Sequence, residues 1–340
     1  MSGEFLSGIE KSGVWIKHLI FNSKVHNFQA HSLINGVRML AIPAAPREKL
    51  MKEMLLRVVV LGMLLALQTS PVLAEKHPPR PYKIGLTTVF LDDQTSFLEA
   101  WSGYLEKRLG RRVEFVQRKS YREINKLIIN QELDAAWICG LPYTRLQANK
   151  QNNLLAVALY QGQPLYQSYL IVPATDKTST NIIDLKNRVF AYSDPDSNSG
   201  FLVPQVLMLK QGIDPRHFFA KTFFTWSHRD VIVAVAKGLA QGGAVDGYVW
   251  ETLAKIRPDI TSKTRVIQRS PKFGFPPFVV RTQLPAAEVQ RLRAVLLGMN
   301  RNQAGKKLLQ RLNLDGFVAG NDHLFDGIRS ADRYYDRSQQ

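Results

Sequence analysis

The sequence predicts an α/β protein of two lobes, each a β-sheet flanked by helices, with a ligand cleft between the lobes. Strand and helix signals alternate along the chain, which is typical of β-α units, and the alternation restarts near residue 169. The length of 340 residues suits about two domains. No low-complexity linker separates the two halves, so we expect the lobes to pack closely.

The individual elements follow from short apolar runs, which indicate strands, and from apolar residues three or four positions apart, which indicate helices. In the first half, strands are predicted at residues 82–86, 113–116, 135–138 and 154–160, with helices at 97–109, 124–128 and 141–149. In the second half, strands are predicted at residues 169–173, 189–192, 244–246 and 278–280, with helices at 201–210, 231–239 and 289–299.

The chain is expected to cross between the lobes twice, near Gln167 and Pro276. Lobe one would then be discontinuous, formed by residues 75–167 together with 276–340, and lobe two would span 168–275. Ligands of open α/β sheets bind at the carboxyl ends of the strands. Two such sheets facing each other therefore place the site in the cleft between them.

Composition limits the classes of function. Lys and Arg total 45 against 28 Asp and Glu, so the net charge of +17 favours an anionic partner. The basic residues between 107 and 122 are interpreted as a solvated helix face rather than a nucleic-acid surface. The single cysteine, Cys139, excludes an intramolecular disulfide and a cysteine-rich zinc site. No Walker, HExxH or Gly-x-Ser-x-Gly motif occurs, so we expect no metal, cofactor or catalytic residues.

Residues 51–74 have the pattern of a secretory signal peptide. Lys52 and Arg57 precede an apolar run at 58–67, and the small residues Val72 and Ala74 follow it, which predicts cleavage after Ala74. A membrane anchor needs about 20 apolar residues, more than this run supplies. No cysteine lies near the cleavage point, so lipid attachment is not expected.

Residues 1–50 precede this signal and show no sustained periodicity. They are interpreted as upstream of a true start at Met51 or Met54, with a genuine long leader as the alternative. An exported, non-lipidated protein without disulfides is expected in the periplasm.

The segment from residue 193 to 204 is the most informative for chemistry. It leaves a predicted strand and opens a predicted helix, with the small donors Ser197, Asn198 and Ser199 at the helix start. Gly200 allows close approach of the backbone to a ligand, and Pro204 is tolerated in a first turn. Free N–H groups at a helix start favour an oxyanion. An ordinary capping turn is the alternative.

The pattern Asp-Pro-x-Ser-x-Ser-Gly-x-x-x-Pro resembles the signature of substrate-binding proteins of phosphate, phosphite and phosphonate ABC transporters. The matching residues are Asp194, Pro195, Ser197, Ser199, Gly200 and Pro204. Asn198 departs from this pattern, because threonine is common there. The segments 134–140 and 166–172 are also similar, and the resemblance extends from residue 82 to about 314.

This resemblance implies the type II periplasmic-binding-protein fold, with two mixed sheets, and a non-catalytic protein that captures a small oxyanion for an ABC permease in the inner membrane. By the same resemblance, Ser197, Asn198 and Ser199 bind the oxyanion, Tyr166 donates its hydroxyl, and His228 contacts the ligand. A helix cap or a core imidazole is the alternative for His228. We expect a monomer.

Other candidate ligand residues come from the predicted strand ends and from the search for a carboxylate. The strand ends of lobe one offer Thr87, Thr88, Cys139, Gly140 and Tyr143, and lobe two offers Asp246 for an amino group. The alternatives are β propensity for the two threonines, a small buried residue for Cys139 and a core position for Tyr143.

The rival functions belong to other classes. A sensory module would pass the signal of the bound anion to a membrane histidine kinase, and neighbouring genes would distinguish it from a transport protein. An exported hydrolase would need a metal cluster or an activated nucleophile. An intracellular regulator would need a helix-turn-helix, and the export signal argues against it.

Overall fold

The computed structural model describes residues 47–67, 80–87 and 95–340. It divides into two units, Met1–Glu75 and Lys76–Gln340. The first unit contributes helix α1 (Arg47–Leu67), which includes the apolar run of the expected signal peptide. Among the described helices, none is both long and apolar enough to cross a membrane. The predicted cleavage point after Ala74 lies outside the described residues.

The second unit alternates strands and helices. Its strands are β1 (Tyr82–Leu86), β2 (Val113–Gln117), β3 (Ala135–Trp137), β4 (Asn152–Leu159), β5 (Leu165–Tyr166), β6 (Ser168–Pro173), β7 (Val189–Tyr192), β8 (Lys221–Phe224), β9 (Gly242–Asp246), β10 (Thr264–Arg269), β11 (Phe273–Gly274), β12 (Pro277–Arg281) and β13 (Gly316–Val318). Its α-helices are α2 (Thr95–Leu109), α3 (Tyr121–Ile129), α4 (Gly140–Ala148), α5 (Val203–Leu209), α6 (His228–Ala236), α7 (Gly247–Ile256), α8 (Pro258–Thr261), α9 (Ala286–Leu297), α10 (Gln303–Arg311) and α11 (Asp326–Ser338).

Two mixed sheets organise this unit. The first has the order β13-β4-β12-β3-β1-β2, and the second has the order β10-β6-β9-β7-β8. In the first sheet β1 is parallel to β2 and β3, whereas β12 is antiparallel to β3 and β4. In the second sheet β7 is parallel to β8 and β9, whereas β6 is antiparallel to β9 and β10. The predicted class, an α/β protein with two mixed sheets, is confirmed.

The chain passes between the two sheets at a short antiparallel ribbon. In this ribbon β5 pairs with β11, so that Tyr166 opposes Phe273. Because β12 and β13 rejoin the first sheet after the second sheet is complete, the first sheet takes strands from both ends of the unit. The lobe boundaries at 167/168 and 275/276 stay a prediction, and the ribbon lies beside both of them.

Aromatic side chains form the core beneath the first sheet. Trp101 is fully buried and packs edge-on against Trp137 and Phe278, at ring-centroid distances of 6.1 and 6.0 Å. The indole N–H of Trp137 donates to the carbonyl of Pro276 at 2.8 Å. Trp137 therefore belongs to the packed interior, and it fixes the chain where β12 begins.

Several predicted boundaries differ from the observed ones for local reasons. The predicted helix at 201–210 begins earlier, as a π-helix over Asn198–Leu202 that continues into α5. The predicted helix at 231–239 begins at His228, because the Ser227 side chain caps it by accepting from the Asp230 N–H. Strands β5, β8, β10, β11 and β13 have no counterpart in the sequence prediction; β5 and β11 have two residues each and β13 has three, too few for a periodic signal.

Candidate functional site

The start of the π-helix is the centre of the predicted site. Ser197 is its N-cap, and the Ser197 hydroxyl accepts the N–H of Gly200 at 3.0 Å. Ser197, Asn198 and Ser199 are all buried, with at most 1% of each residue exposed. The predicted cluster of small donors is thus enclosed by protein rather than displayed on a surface turn.

Polar atoms in this cluster lack partners. The hydroxyls of Ser193 and Ser199 and the side-chain oxygen of Asn198 are buried, and none of them forms a hydrogen bond with the described residues. A buried polar group without a partner costs about 1–3 kcal/mol, so such groups are rare in folded proteins. Two of these groups are hydroxyls, which can donate, and the third is an amide oxygen, which can only accept, so the cluster retains unused hydrogen-bonding capacity of both kinds.

Gly200 is required by close packing rather than by an unusual backbone angle. A Cβ at this position would lie 1.9 Å from the Ser193 hydroxyl oxygen and 3.0 Å from Cε1 of His228. Any larger residue would therefore require the Ser193 side chain or the π-helix to move. The glycine keeps the helix start against both neighbours.

Tyr166 joins the interlobe ribbon to this cluster. The Asn198 side-chain amide donates to the Tyr166 hydroxyl at 2.9 Å. Burial raises the pKa of Tyr166 well above its usual value, so the phenol keeps its proton. The predicted donor role of Tyr166 thus has the right protonation state.

His228 lies at the first position of α6 and faces the same cluster. Its Nδ1 accepts the backbone N–H of Asp246 at 3.1 Å, so in the neutral ring Nε2 carries the hydrogen. Nε2 lies 3.5 Å from the Ser197 hydroxyl. Burial lowers the pKa of His228 to about 3, so the ring is a neutral donor at ordinary pH.

Asp246 touches the site through its backbone, while its carboxyl group caps a helix. The carboxyl accepts the N–H of Tyr248 at 2.9 Å, at the start of α7. Burial raises the pKa of Asp246 to about 8. The predicted amine-binding role stays a prediction, and capping gives this carboxyl a structural partner.

Two of the predicted lobe-one residues have their polar atoms engaged inside lobe one. The Thr87 hydroxyl donates to the Trp137 carbonyl at 3.1 Å, and the Tyr143 hydroxyl donates to Asp322 at 2.5 Å. A Cβ on Gly140 would lie 2.5 Å from Cδ1 of Ile328, so this glycine allows α11 to approach α4. Thr88 lies outside the described residues.

Cys139 is the predicted lobe-one residue that contacts the π-helix. Its sulfur accepts the N–H of Asn198 at 3.3 Å. Burial raises the pKa of the thiol to about 12, so the group is a protonated thiol rather than a nucleophilic thiolate. Cys139 therefore helps to hold the two lobes together at the site.

Sequence reasoning missed Tyr121, which is fully buried at the start of α3. The Tyr121 hydroxyl lies 3.3 Å from Nε2 of His228, and its backbone N–H donates to the Asp194 carboxylate at 3.0 Å. The Ser-x-x-Glu pattern at 120–123 is a capping box and could have located this helix start after β2.

Asp194 belongs to the 194–204 signature, and through its contact with the Tyr121 N–H it also caps the start of α3. Its carboxylate lies at the N-terminal end of α3, where a negative charge is favoured by the helix dipole. Burial raises the pKa of this carboxyl. Next to it, Asp196 pairs with Arg145 at 3.4 Å and Arg122 at 3.9 Å. The turn before the π-helix is thus bound to lobe one by several contacts.

The donors that surround the π-helix start are neutral: hydroxyls, an amide, a thiol and an uncharged imidazole. Neutral donors fixed by a folded frame can hold an anion through charge-assisted hydrogen bonds. Burial moves the pKa of the Cys139 thiol to about 12 and that of the His228 ring to about 3, so neither is an activated nucleophile or a general base near neutral pH. The arrangement is suited to binding.

Comparison with known proteins identifies the family of this chain. The family described as "ABC transporter, phosphonate, periplasmic substrate-binding protein" matches residues 84–325. The phosphonates-binding periplasmic protein of Escherichia coli is 27% identical over 271 residues, covering 76% of this chain and 79% of that protein.

Two solved structures have the same fold. A binding protein of an ABC phosphonate transporter from Pseudomonas aeruginosa has a TM-score of 0.70 at 23% identity, covering 76% of this chain and 88% of that chain. A protein of Prochlorococcus marinus, solved in complex with methylphosphonate, has a TM-score of 0.67 at 23% identity, covering 76% of this chain and 99% of that chain. Since the family match spans more than half of the sequence, the chain belongs to the periplasmic substrate-binding proteins of phosphonate ABC transporters.

Proposed function

We propose that this protein captures a small phosphorus oxyanion, namely phosphate, phosphite or a phosphonate, in the cleft and presents it to an ABC permease. The observation that carries the proposal is the pair of buried, unpartnered hydroxyls of Ser193 and Ser199 beside the π-helix start, both of which can donate to an anion. The names of the Escherichia coli and Prochlorococcus relatives, a phosphonates-binding protein and a methylphosphonate complex, support the same ligand class.

In the proposed mechanism, an oxygen of the anion accepts from the unpartnered hydroxyl of Ser199, and a protonated P–OH group of the ligand donates to the unpartnered side-chain oxygen of Asn198. The neutral Nε2–H of His228 supplies a further donor. Charge-assisted hydrogen bonds contribute about 1.5–3 kcal/mol each. A few of them suffice for roughly micromolar binding after the cost of ordering the ligand.

Closure of the lobes is proposed to follow from the same contacts. The Asp194 carboxylate meets the α3 start, and the Asn198 N–H meets the Cys139 sulfur, so both interlobe contacts flank the bound anion. A ligand held by Ser199 and His228 that also contacts the Tyr121 hydroxyl of lobe one, which lies 3.3 Å from Nε2 of His228, favours the closed form. The closed form would then be recognised by the permease.

We infer that no bond is made or broken. The protonated Cys139 thiol and the neutral His228 ring support a binding role, because neither is prepared to attack or to take a proton. We also propose export by the 51–74 segment with cleavage after Ala74, no lipid anchor, and a monomeric protein. No observation favours the sensory alternative.

The test is a ligand panel on the purified protein, refolded from denaturant to remove bound ligand. Thermal shift and calorimetry would compare methylphosphonate, phosphite, phosphate, an aminophosphonate, sulfate and acetate. A ligand at about 100 times its Kd stabilises the native state by about 2.7 kcal/mol. A saturable shift with one phosphorus oxyanion supports the proposal, and no shift with any phosphorus anion would overturn it.

The site itself is tested with Ser199→Ala. Removing this unpartnered hydroxyl should weaken binding by about 10- to 100-fold without lowering the stability of the unliganded protein. Ser102→Ala is the matched control, because the Ser102 hydroxyl donates to the Glu99 carbonyl on the distant helix α2. Equal affinities for the two variants would remove Ser199 from the site.

A further inference from the structure

A concave surface lies between α5, α11 and the segment that links β10 to β11. Its volume is about 540 Å³, within the range of small-molecule sites. Apolar side chains from four elements line it: Leu170, Val203, Val206, Leu207, Phe273, Ala331 and Tyr334. We call this surface the α5–α11 groove.

Four cationic side chains border the α5–α11 groove: Lys210, Arg269, Lys272 and Arg337. All four are exposed, and the described lining contains no Asp or Glu. Among the described residues, none of the four forms an ion pair. Lys272 donates to the Gln163 side chain at 2.7 Å, and the Arg269 guanidinium lies 4.9 Å from the Tyr169 ring centroid. The groove thus combines an apolar floor with uncompensated positive charge.

We propose that the α5–α11 groove binds a free, single-chain amphipathic anion, in which an alkyl or acyl chain carries a carboxylate or phosphate group. The chain would lie on the floor formed by Val206, Leu207 and Ala331, and the head group would meet the cations. An inorganic anion would leave the apolar floor wet, and a neutral hydrocarbon would leave the charges unused. Only a ligand with both parts matches the chemistry of the lining.

This groove is separate from the proposed oxyanion site. Ser197, Asn198 and His228 are absent from its lining. The two regions share an element, however, because α5 continues the π-helix, and Ser168 in the groove lining donates its hydroxyl to the Ser199 carbonyl at 2.7 Å. The proposal does not depend on the proposed function, and oxyanion binding can serve as a control for folding.

The test uses decyl phosphate and decanoate below their micelle concentrations, with decanol and inorganic phosphate as partial ligands, measured by calorimetry on the full protein. We expect saturable binding of both decyl anions and much weaker binding of decanol and of phosphate at this site. Equal affinity for decanol would overturn the role of the cations. Binding only to anionic vesicles, with none to the monomeric anions, would overturn the choice of a free ligand.

Two variants locate the binding. Ala331→Trp places a ring in the groove and should weaken decyl phosphate binding by about tenfold or more, which corresponds to about two methylene groups kept out of the groove. Lys210→Glu should weaken the decyl anions but not decanol. Lys306→Glu on α10 is the control with the same change of charge outside the groove.

If the protein binds methylphosphonate, its affinity for that ligand should be the same in all three variants. Circular dichroism spectra that match the parent's show that each variant is folded. Decyl phosphate binding that survives both Ala331→Trp and Lys210→Glu would overturn the assignment. Sedimentation velocity tests whether a second copy of this chain occupies the groove instead. If the protein binds no decyl anion and forms a dimer that Ala331→Trp abolishes, the groove is a self-association surface and the proposal is refuted.

Discussion

Replacing Gly200 by alanine perturbs the predicted site with one methyl group. The new Cβ would lie 1.9 Å from the Ser193 hydroxyl oxygen and 2.8 Å from the Ser193 Cβ. Both atoms are part of a fully buried side chain at the end of β7. Either Ser193 moves or the π-helix shifts away from His228.

The expected cost follows from the size of this overlap. Overpacking a buried site by one methyl group costs about 1–3 kcal/mol. For a domain of this size each kcal/mol lowers Tm by about 2–4 °C, so Gly200→Ala should melt several degrees below the parent. The displaced N–H and hydroxyl donors should also weaken binding of the phosphorus oxyanion by about tenfold or more.

Ser193→Gly provides a rescue, because it removes both of the atoms nearest to the new Cβ. In the double variant the nearest remaining atom of those described is Cε1 of His228, at 3.0 Å. A double-mutant cycle should therefore give a favourable coupling energy between the two substitutions. Urea unfolding measures the stabilities and calorimetry the affinities.

Gly103→Ala is the matched control. Gly103 lies inside α2, and a Cβ there would meet nothing within 4 Å. Alanine in a helix interior is favoured over glycine by about 0.5–1 kcal/mol, so this variant should gain stability and keep its affinity. If Gly200→Ala were as stable as the parent, or if Ser193→Gly gave no coupling, the packing argument for Gly200 would be wrong.

Three further outcomes are expected. Ser197→Ala should cost about 1 kcal/mol of unfolding free energy, because it removes the cap on the Gly200 N–H, whereas Ser199→Ala should not; urea titration distinguishes them. Tyr121→Phe should weaken anion binding several-fold, about 1 kcal/mol for a lost hydrogen bond near His228, and unchanged calorimetry would exclude Tyr121 from the site. The pKa of His228 is about 3 in the folded protein and 6.5 when unperturbed, so between these values only the unfolded state takes up the proton. The contribution of His228 to the free energy of unfolding therefore falls by about 1.4 kcal/mol per pH unit as pH drops below 6.5. The substitution His228→Gln should abolish this pH dependence. Burial raises the pKa of the Asp246 carboxyl to about 8, so Asp246 lowers the free energy of unfolding as pH rises, which is the opposite trend. The effect of His228 is therefore the difference between the pH profiles of the parent and of His228→Gln.

The sequence determined the elements that arise from local patterns. Alternating apolar runs and helical spacing located β1, β7 and α2, because side-chain period depends only on neighbours along the chain. The Ser-Asn-Ser-Gly segment also identified the helix start that forms the centre of the site, since capping residues and glycine act on their own backbone. The α/β class followed from these patterns, and the family followed from the resemblance of residues 194–204 to its signature; both are confirmed.

Tertiary structure alone decided which distant residues meet at that helix start. Tyr121 and His228 are separated by 107 positions and lie in different lobes, so no local pattern places one beside the other. The same is true of Cys139 and the Asn198 N–H, 59 positions apart. Whether a serine hydroxyl is paired or left unpartnered depends on such contacts, because burial and hydrogen bonding are properties of the packed interior and not of the chain.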